Sequence, residues 1–431
     1  QVDHPPDAVV FARDEDDIEA TLAWAAGEDV AVIPFGGGTS VVGGVEPKVP
    51  DDRLGVVSLD LSHLDRVVEV DPVSRAARIQ GGVAGPSLEA QLAEHGLTMR
   101  FFPQSFELST LGGWIATRAG GHFATVWTHV DDLVESVRAI TPSGAWESRR
   151  LPGSGAGPSP DRLLLGSEGI LGVITEAWVR VQPKPAHRAS RAVRFKDFIL
   201  ASEAVRELAQ SGLNPANCRL VDALEAQQTG AGDGTHAVLV LGFESTDHDV
   251  EDALRRGLAI AKAHGGEHDD AASGGGAVST WRDAFIAMPY LRDALLQLGV
   301  LSDTFETAIT WDRWPAFHAS VTAATRAALG EPCRVTCRLT HVYPDGPAPY
   351  FTVLAPARRG GEVAQWEAMK RAASDAILAA GGTITHHHAV GRDHRAWYDE
   401  QRPDLFAAAL RAAKGAVDPG GVLNPGVLVD A

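Results

Sequence analysis

Five of the eleven residues in PFGGGTSVVGG, positions 34–44, are glycine, and the run follows the apolar stretch DVAVI directly. Glycine tolerates backbone conformations and close approaches that a Cβ forbids, so a cluster at the end of a strand implies a backbone that something must reach. A dinucleotide fingerprint would continue into a helix whose N-terminus holds the pyrophosphate. Here VVGGVEPK follows, and Gly43, Gly44 and Pro47 oppose a helix. A phosphate at this loop would be held by successive backbone N–H groups, with Thr39 and Ser40 adding hydroxyl donors. A glycine-rich hairpin or bulge without a ligand satisfies the same residues.

Two further clusters combine glycine with small and hydroxyl residues: PQSFELSTLGGWIATRAGG at 103–121 and GSEGILGVITE at 166–176. Three such loops beside strands suit an extended ligand with a pyrophosphate and a large planar ring, because small side chains let backbone amides reach it. Three turns of a β-rich domain are the plainer alternative.

At 431 residues the chain exceeds what one core normally serves, so two domains, or one with a large insertion, are expected. DEDDIEATLAWAAGED reads as a helix, RVVEVDPVSRAARIQGG as two strands about a DPVS turn, and GPSLEAQLAEHG as a short helix. GVITEAWVRVQPKP alternates until its prolines end it, which sets a boundary at 183–185. Beyond it, RAVRF, AVLVLGFE and VTCRLTHVYPDGPAPYFTVLA supply strands. ILASEAVRELAQSG, DVEDALRRGLAIAKAHGG and VAQWEAMKRAASDAILAAGG supply helices, a pattern of an α+β sheet with helices on one face. The closing helix in LFAAALRAAKGAVDPGG is expected to pack back onto the first domain.

Net charge of −18 offers no basic surface for nucleic acid. No run of eighteen apolar residues suggests a transmembrane helix, and the first residues lack a signal-like apolar core. Cys218, Cys333 and Cys337 cannot build a disulfide framework and fit a reducing cytoplasm; the last two read as structural thiols. ITHHHAVG, at 384–391, reads as the end of a strand, with His386 and His388 on one face and His387 on the other. That alternation opposes a three-histidine metal site and leaves acid–base work near neutral pH, or a solvated run.

Together, PFGGGTSVVGG, SFELSTLGGWIATRAGG, GSEGILGVITEA and ITHHHAVG, in this order and spacing, resemble the PCMH-type FAD-binding family related to vanillyl-alcohol oxidase. Within it they are most similar to the alkyldihydroxyacetonephosphate synthases of ether-lipid synthesis. The likeness runs over nearly all of residues 6–427. It implies an α+β fold: a two-subdomain PCMH-type FAD-binding domain at 1–185, an α+β cap with an antiparallel sheet at 186–385, and a segment at 386–431 that returns to the first domain. It also implies FAD. The first loop carries Pro34, Phe35, Gly36, Gly37, Gly38, Thr39 and Ser40 into that site. The second carries Gln104, Ser105, Phe106, Glu107, Leu108, Ser109 and Thr110, then Thr117, Arg118, Ala119 and Gly120. The third carries Glu168, Gly169, Ile170, Leu171, Gly172, Val173 and Ile174. Relatives that bind flavin covalently have a histidine where Thr39 stands, so noncovalent FAD is implied. Gln104 replaces the family's aspartate, which removes a charge and not the loop.

In the synthases a histidine triplet important for activity matches His386, His387 and His388, with Ala389 in place of the usual glycine. A tyrosine that acts on the substrate's C1 proton matches Tyr350, and a phosphate-binding arginine matches Arg292. Arg219 matches an arginine read as structural near the flavin, and Arg338 is a further candidate. A tyrosine with its ordinary pKa of about 10 is a poor base near neutrality, so Tyr350 needs a partner. Flavin dehydrogenases of D-2-hydroxy acids carry Glu-His-Gly at the place of His387-His388-Ala389. They also have a metal motif in which Tyr350 takes a histidine's place, so no metal is expected.

The activity implied is exchange of the acyl chain of an acyl-dihydroxyacetone phosphate for a fatty alcohol, with FAD and no net redox. The alternatives are an FAD-dependent oxidase or dehydrogenase of an alcohol or 2-hydroxy acid, and a non-catalytic flavin-binding protein. The substrate is lipid-like or phosphorylated. A cytoplasmic location, peripheral membrane association and a homodimer are all compatible with it. Between Gln228 and His236 the cap is shorter than in eukaryotic synthases.

Overall fold

The computed structural model describes residues 3–123, 125–268, 292 and 294–430. Within it the chain forms two compact units. One comprises Gln1–Gly121, His129–Lys184 and His387–Ala431; the other comprises His122–Thr128 and Pro185–His386.

In the first unit, β1 (Ala8–Phe11), β2 (Val30–Phe35) and β3 (Gly55–Asp60) form a parallel sheet in the order β1-β3-β2. The helix Glu15–Glu28 connects the first two. Asp14 caps it by accepting from the Asp17 N–H at 3.0 Å, and Glu15, Asp16 and Asp17 place negative charge at its N-terminus. Ile18, Leu22 and Ala25 bury one stripe against Val32, Val57 and Leu59. A second, antiparallel sheet is built from β4 (Val67–Asp71), β5 (Ala76–Gln80), β7 (Val134–Thr141), β8 (Gly144–Glu147) and β9 (Val173–Arg180), in the order β4-β5-β9-β7-β8. The short strands β6 (Leu97–Thr98) and β10 (Gln182–Pro183) pair separately.

One correction falls here. The glycine- and threonine-rich stretch read as a loop contains a helix, Leu111–Thr117. Thr110 caps it through Gly113, while Leu111, Trp114 and Ile115 are buried in the core; burial outweighs the poor helix propensity of Gly112 and Gly113. Gly112 is also sterically required, since a Cβ there would lie 2.9 Å from the Gly81 carbonyl oxygen.

The C-terminal helix Asp404–Val417 ends on a buried ion pair. Lys414 Nζ donates to Asp418 at 2.5 Å and to the Leu423 carbonyl at 2.6 Å, while Asp418 accepts from the N–H groups of Val422 and Leu423. That turn presents the tail to the free edge of β2, where Val32 donates to Val422 O and Asn424 donates to Val32 O.

Among the described residues the second unit holds a six-stranded antiparallel sheet. Its strands are β11 (His187–Phe195), β12 (Asn217–Val221), β13 (Ala237–Ser245), β14 (Val300–Glu306), β15 (Arg334–Val342) and β16 (Pro347–Pro356), in the order β11-β13-β12-β15-β16-β14. Helices Phe198–Gln210, Glu251–Ala263, Trp314–Leu329 and Glu362–Ala379 pack through Val205, Leu254, Phe317 and Met369 into the same core as Leu220 and Phe351. The next residue, Val221, faces the other side and packs with Ala226 of the short helix Ala223–Gln228. The sequence reading named no helix at Trp314–Leu329, although Trp314, Phe317 and Val321 have helical spacing and are buried. Among the described residues no helix is long and apolar enough to cross a membrane.

Lys414 and Asp418 are 4% and 2% exposed. Lys414→Met would strand the carboxylate in the interior and is expected to cost about 3 kcal/mol, read as a lower urea midpoint. An unchanged midpoint would remove the pair from the forces that seat the tail.

Candidate functional site

What approaches the first glycine loop is the chain itself. A Cβ on Gly37 would stand 1.9 Å from Leu108 O, and one on Gly36 would stand 2.3 Å from Thr110 Oγ1. Gly169 lies against Pro34 in the same way, at 3.1 Å, and Gly166 against Arg118, at 2.7 Å. The three clusters that the sequence reading singled out therefore meet in the first unit. At their junction the N–H groups of residues 36–40 find no acceptor among the described residues. A row of donors without protein acceptors, at the end of β2 and beside the Thr110 hydroxyl, fits the oxygens of a pyrophosphate.

The expected site residues divide by what their side chains already do. Ser105 O accepts from Ser109, and Ser109 Oγ accepts from Trp114 Nε1 at 2.7 Å. The Phe106 ring covers Gly85, while Glu107 and Leu108 are exposed. Thr117 donates to Gly113 O at 2.8 Å, and Arg118 pairs with Asp131 at 2.7 Å. Gly120 bridges to His129. Ile170, Leu171, Val173 and Ile174 bury their side chains in the core, so only their backbone could meet a ligand.

Glu168 does something that sequence reasoning did not foresee. Its backbone is left-handed, with φ 49°. Its carboxylate accepts from the N–H groups of Val390 at 2.9 Å and Gly391 at 2.7 Å, and its carbonyl accepts from Asn424 at 2.7 Å. It holds the chain just after the histidine triplet. Burial pushes its carboxyl up to about 7, against the pull of the two N–H donors.

The triplet is not the end of a strand. Residues 386–388 are consecutive bends, so the alternation argued from the sequence does not apply. The cause is tethering by side chains in place of a ladder. In the second unit Glu306 accepts from Thr385 Oγ1 at 2.6 Å and from the His386 N–H at 2.7 Å, and Thr307 donates to Thr383 O. The His386 ring nitrogen Nε2 lies 2.8 Å from the Tyr343 hydroxyl, which is itself 3.1 Å from Thr128 Oγ1. In the first unit, the rings of His387 and His388 meet edge to face at 4.7 Å.

Tyr350 is 5% exposed and donates to Thr304 Oγ1 at 3.0 Å, with the Arg338 guanidinium 3.8 Å from its ring centre. Burial pushes its phenol above the ordinary value, and Arg338 pulls in the opposite direction. Arg338 pairs with buried Glu225 at 2.5 Å. Arg219, also buried, donates to His122 O; burial and the charge of Arg338 pull it down to about 9. Arg292 is half-exposed, donating to Ser302 O at 3.2 Å and facing Asp303 at 3.6 Å. Its neighbours 290, 291 and 293 lie outside the described residues. Sequence reasoning missed Tyr343, Thr128, Glu306 and Glu225, whose partners are distant in the chain; only the turn YPDG hinted that Tyr343 is held rigidly.

Glu168 offers a signed test. Its folded value, about 7, is above the ordinary 4.5, so between these values the folded chain keeps a proton that the unfolded chain releases. Its contribution to stability therefore falls as pH rises through that window. The stability of the wild type relative to Glu168→Gln is expected to drop by roughly 3 kcal/mol between about pH 4.5 and 7.5. Urea unfolding at the two pH values measures it, and a pH-independent difference would contradict it.

The FAD binding domain family matches residues 6–148, and the family of FAD linked oxidases, C-terminal domain, matches residues 184–428. The alkyldihydroxyacetonephosphate synthase of Caenorhabditis elegans is 31% identical, over 99% of this chain and 76% of its own. A solved alkyldihydroxyacetonephosphate synthase superposes with a TM-score of 0.80 at 28% identity, covering 97% of this chain and 76% of that one. Substrate-bound p-cresol methylhydroxylase, at 16% identity and a TM-score of 0.81 over 100% of this chain and 90% of its own, shares the fold. The α+β PCMH-type architecture and the FAD cofactor implied by the sequence both hold. The chain belongs to the FAD-linked oxidase family, with alkyldihydroxyacetonephosphate synthases among its relatives, and is an FAD-dependent enzyme.

Proposed function

We propose that this enzyme exchanges the acyl chain of an acyl-dihydroxyacetone phosphate for a fatty alcohol. The observation that carries the reading is the likeness to a synthase along almost the whole chain, at 31% identity. In the exchange the bond between C1 and the ester oxygen breaks and the fatty acid leaves as a carboxylate. A new bond joins C1 to the alcohol oxygen, whose proton is released, and no electrons are gained or lost overall. Bound FAD supplies the electronic activation of C1.

On this reading the first unit is the FAD-binding domain and its C-terminal segment part of that domain, and the six-stranded unit is the cap. The N–H groups of residues 36–40 hold the pyrophosphate, with Thr39 and Ser40, and the second and third loops hold the rest through backbone groups and hydroxyls. Thr39 offers no imidazole for a covalent link, so the FAD is noncovalent. Arg292 anchors the substrate phosphate, for which its planar fork is suited. Its release from Asp303 costs little, because that carboxylate also accepts from Trp366 Nε1 at 2.8 Å and pairs with Lys370 at 3.2 Å. The histidines of the triplet move the substrate's protons. Tyr350, with its phenol pushed up by burial, works as a proton donor and orienting hydroxyl more readily than as a free base. The three buried thiols fit a reducing cytoplasm, with the enzyme meeting its lipid at a membrane surface.

Incubation with palmitoyl-dihydroxyacetone phosphate and an ¹⁸O-labelled fatty alcohol tests the reading by mass spectrometry. The expected product is an ether that retains the label, formed with equimolar palmitate and without reduction of any acceptor. Absence of ether, with an alcohol or hydroxy acid oxidised instead, would replace it with the oxidoreductase reading.

A further inference from the structure

We infer that Tyr343 is a positioning residue that fixes the proton arrangement of the His386 imidazole, with Thr128 as the outer end of the same hydrogen-bonded chain. This rests on the reading above, in which His386 takes part in proton transfer. The Tyr343 hydroxyl lies 2.8 Å from His386 Nε2 and 3.1 Å from Thr128 Oγ1. Both hydroxyls can donate or accept. When Nε2 carries no proton, Thr128 donates to Tyr343 and Tyr343 donates to the ring, which keeps the imidazole proton on Nδ1. When the ring is doubly protonated, Nε2–H donates to Tyr343 and Tyr343 donates to Thr128. His386 thus keeps a partner in both states, and the change between them is absorbed by two hydroxyl rotations in place of ring movement.

The backbones at both ends of the contact are pinned. Tyr343 closes a tight turn through its N–H to Gly346 O at 2.9 Å, and its carbonyl accepts from Trp311 Nε1 at 3.0 Å. The turn cannot slide, because a Cβ on Gly346 would already lie 2.0 Å from Ile309 O. On the other side, the Glu306 carboxylate holds the His386 N–H at 2.7 Å. A hydroxyl and a ring nitrogen held from both sides at hydrogen-bond distance form a preorganised pair, in which little ordering remains to be done during reaction. Tyr350, the tyrosine that the sequence suggested, instead donates to Thr304.

The test uses the FAD-loaded protein with ¹⁵N-labelled histidine, read by long-range proton–nitrogen NMR, with His386 assigned from the signals lost in His386→Gln. Flavin absorbance equal to the wild type certifies each variant as folded and loaded. The wild type is expected to show a single tautomer with Nε2 hydrogen-bonded. Tyr343→Phe is expected to shift Nε2 and yield a tautomer mixture; Thr128→Val should do so partially, and Thr128→Ser should restore the wild-type pattern. In acyl exchange, Tyr343→Phe should lower kcat on the order of 10–100-fold while KM stays within about twofold. Identical His386 signals in the wild type and Tyr343→Phe would overturn the inference, and so would an unaltered kcat. If the signals shift as expected but the wild type exchanges no acyl chain, the transfer reading fails while the Tyr343–His386 contact stands.

Discussion

Gly37 has no room for a side chain, and much of the first unit is arranged around that fact. Its backbone abuts the carbonyl of Leu108, which brings the loop leaving β2 against the loop that enters the helix Leu111–Thr117. The third loop closes on both through Gly169 against Pro34 and Gly166 against Arg118. The N–H groups of residues 36–40 find no acceptor among the described residues. In an FAD-dependent enzyme such a row of donors suits an anionic ligand.

Two carboxylates extend the same logic to the histidine triplet. Glu306, in the second unit, ties down Thr385 and His386; Glu168, in the first, ties down Val390 and Gly391. Burying a carboxylate is unfavourable unless donors surround it, and in each case the donors belong to the segment being held. The backbone is therefore tethered on each side of the triplet. Asn424, from the C-terminal tail, bonds both Glu168 O and Gly44 O, so the tail also supports the loops. The tail in turn depends on the buried Lys414–Asp418 pair.

The glycine clusters were legible in the sequence because the absence of a Cβ is itself the constraint, and close approach needs no knowledge of what approaches. That the partner of Gly37 is Leu108, seventy residues on, was not. In the second unit, β11, β13 and the pair β15–β16 about the YPDG turn were equally legible, since alternation and turn chemistry are local, whereas β12 and β14 were not read. Two local readings failed for tertiary reasons. Gly112 and Gly113 made a loop of what burial of Trp114 and Ile115 turns into a helix, and alternation made a strand of 386–388, where the tethers come from Glu306 eighty residues earlier. Tyr343 escaped notice because its partners, His386 and Thr128, lie 43 and 215 positions away. The resemblance drew attention to Tyr350, which the fold buries beneath Arg338.

An FAD enzyme of this family is expected here to work without net oxidation. Anaerobic stopped-flow absorbance of the flavin after mixing with palmitoyl-dihydroxyacetone phosphate addresses it most directly. The expected result is bleaching that reverses when a fatty alcohol is added, with no electron acceptor present. Bleaching by an alcohol or hydroxy acid that reverses only when an acceptor is admitted, with no response to the acyl substrate, would contradict it.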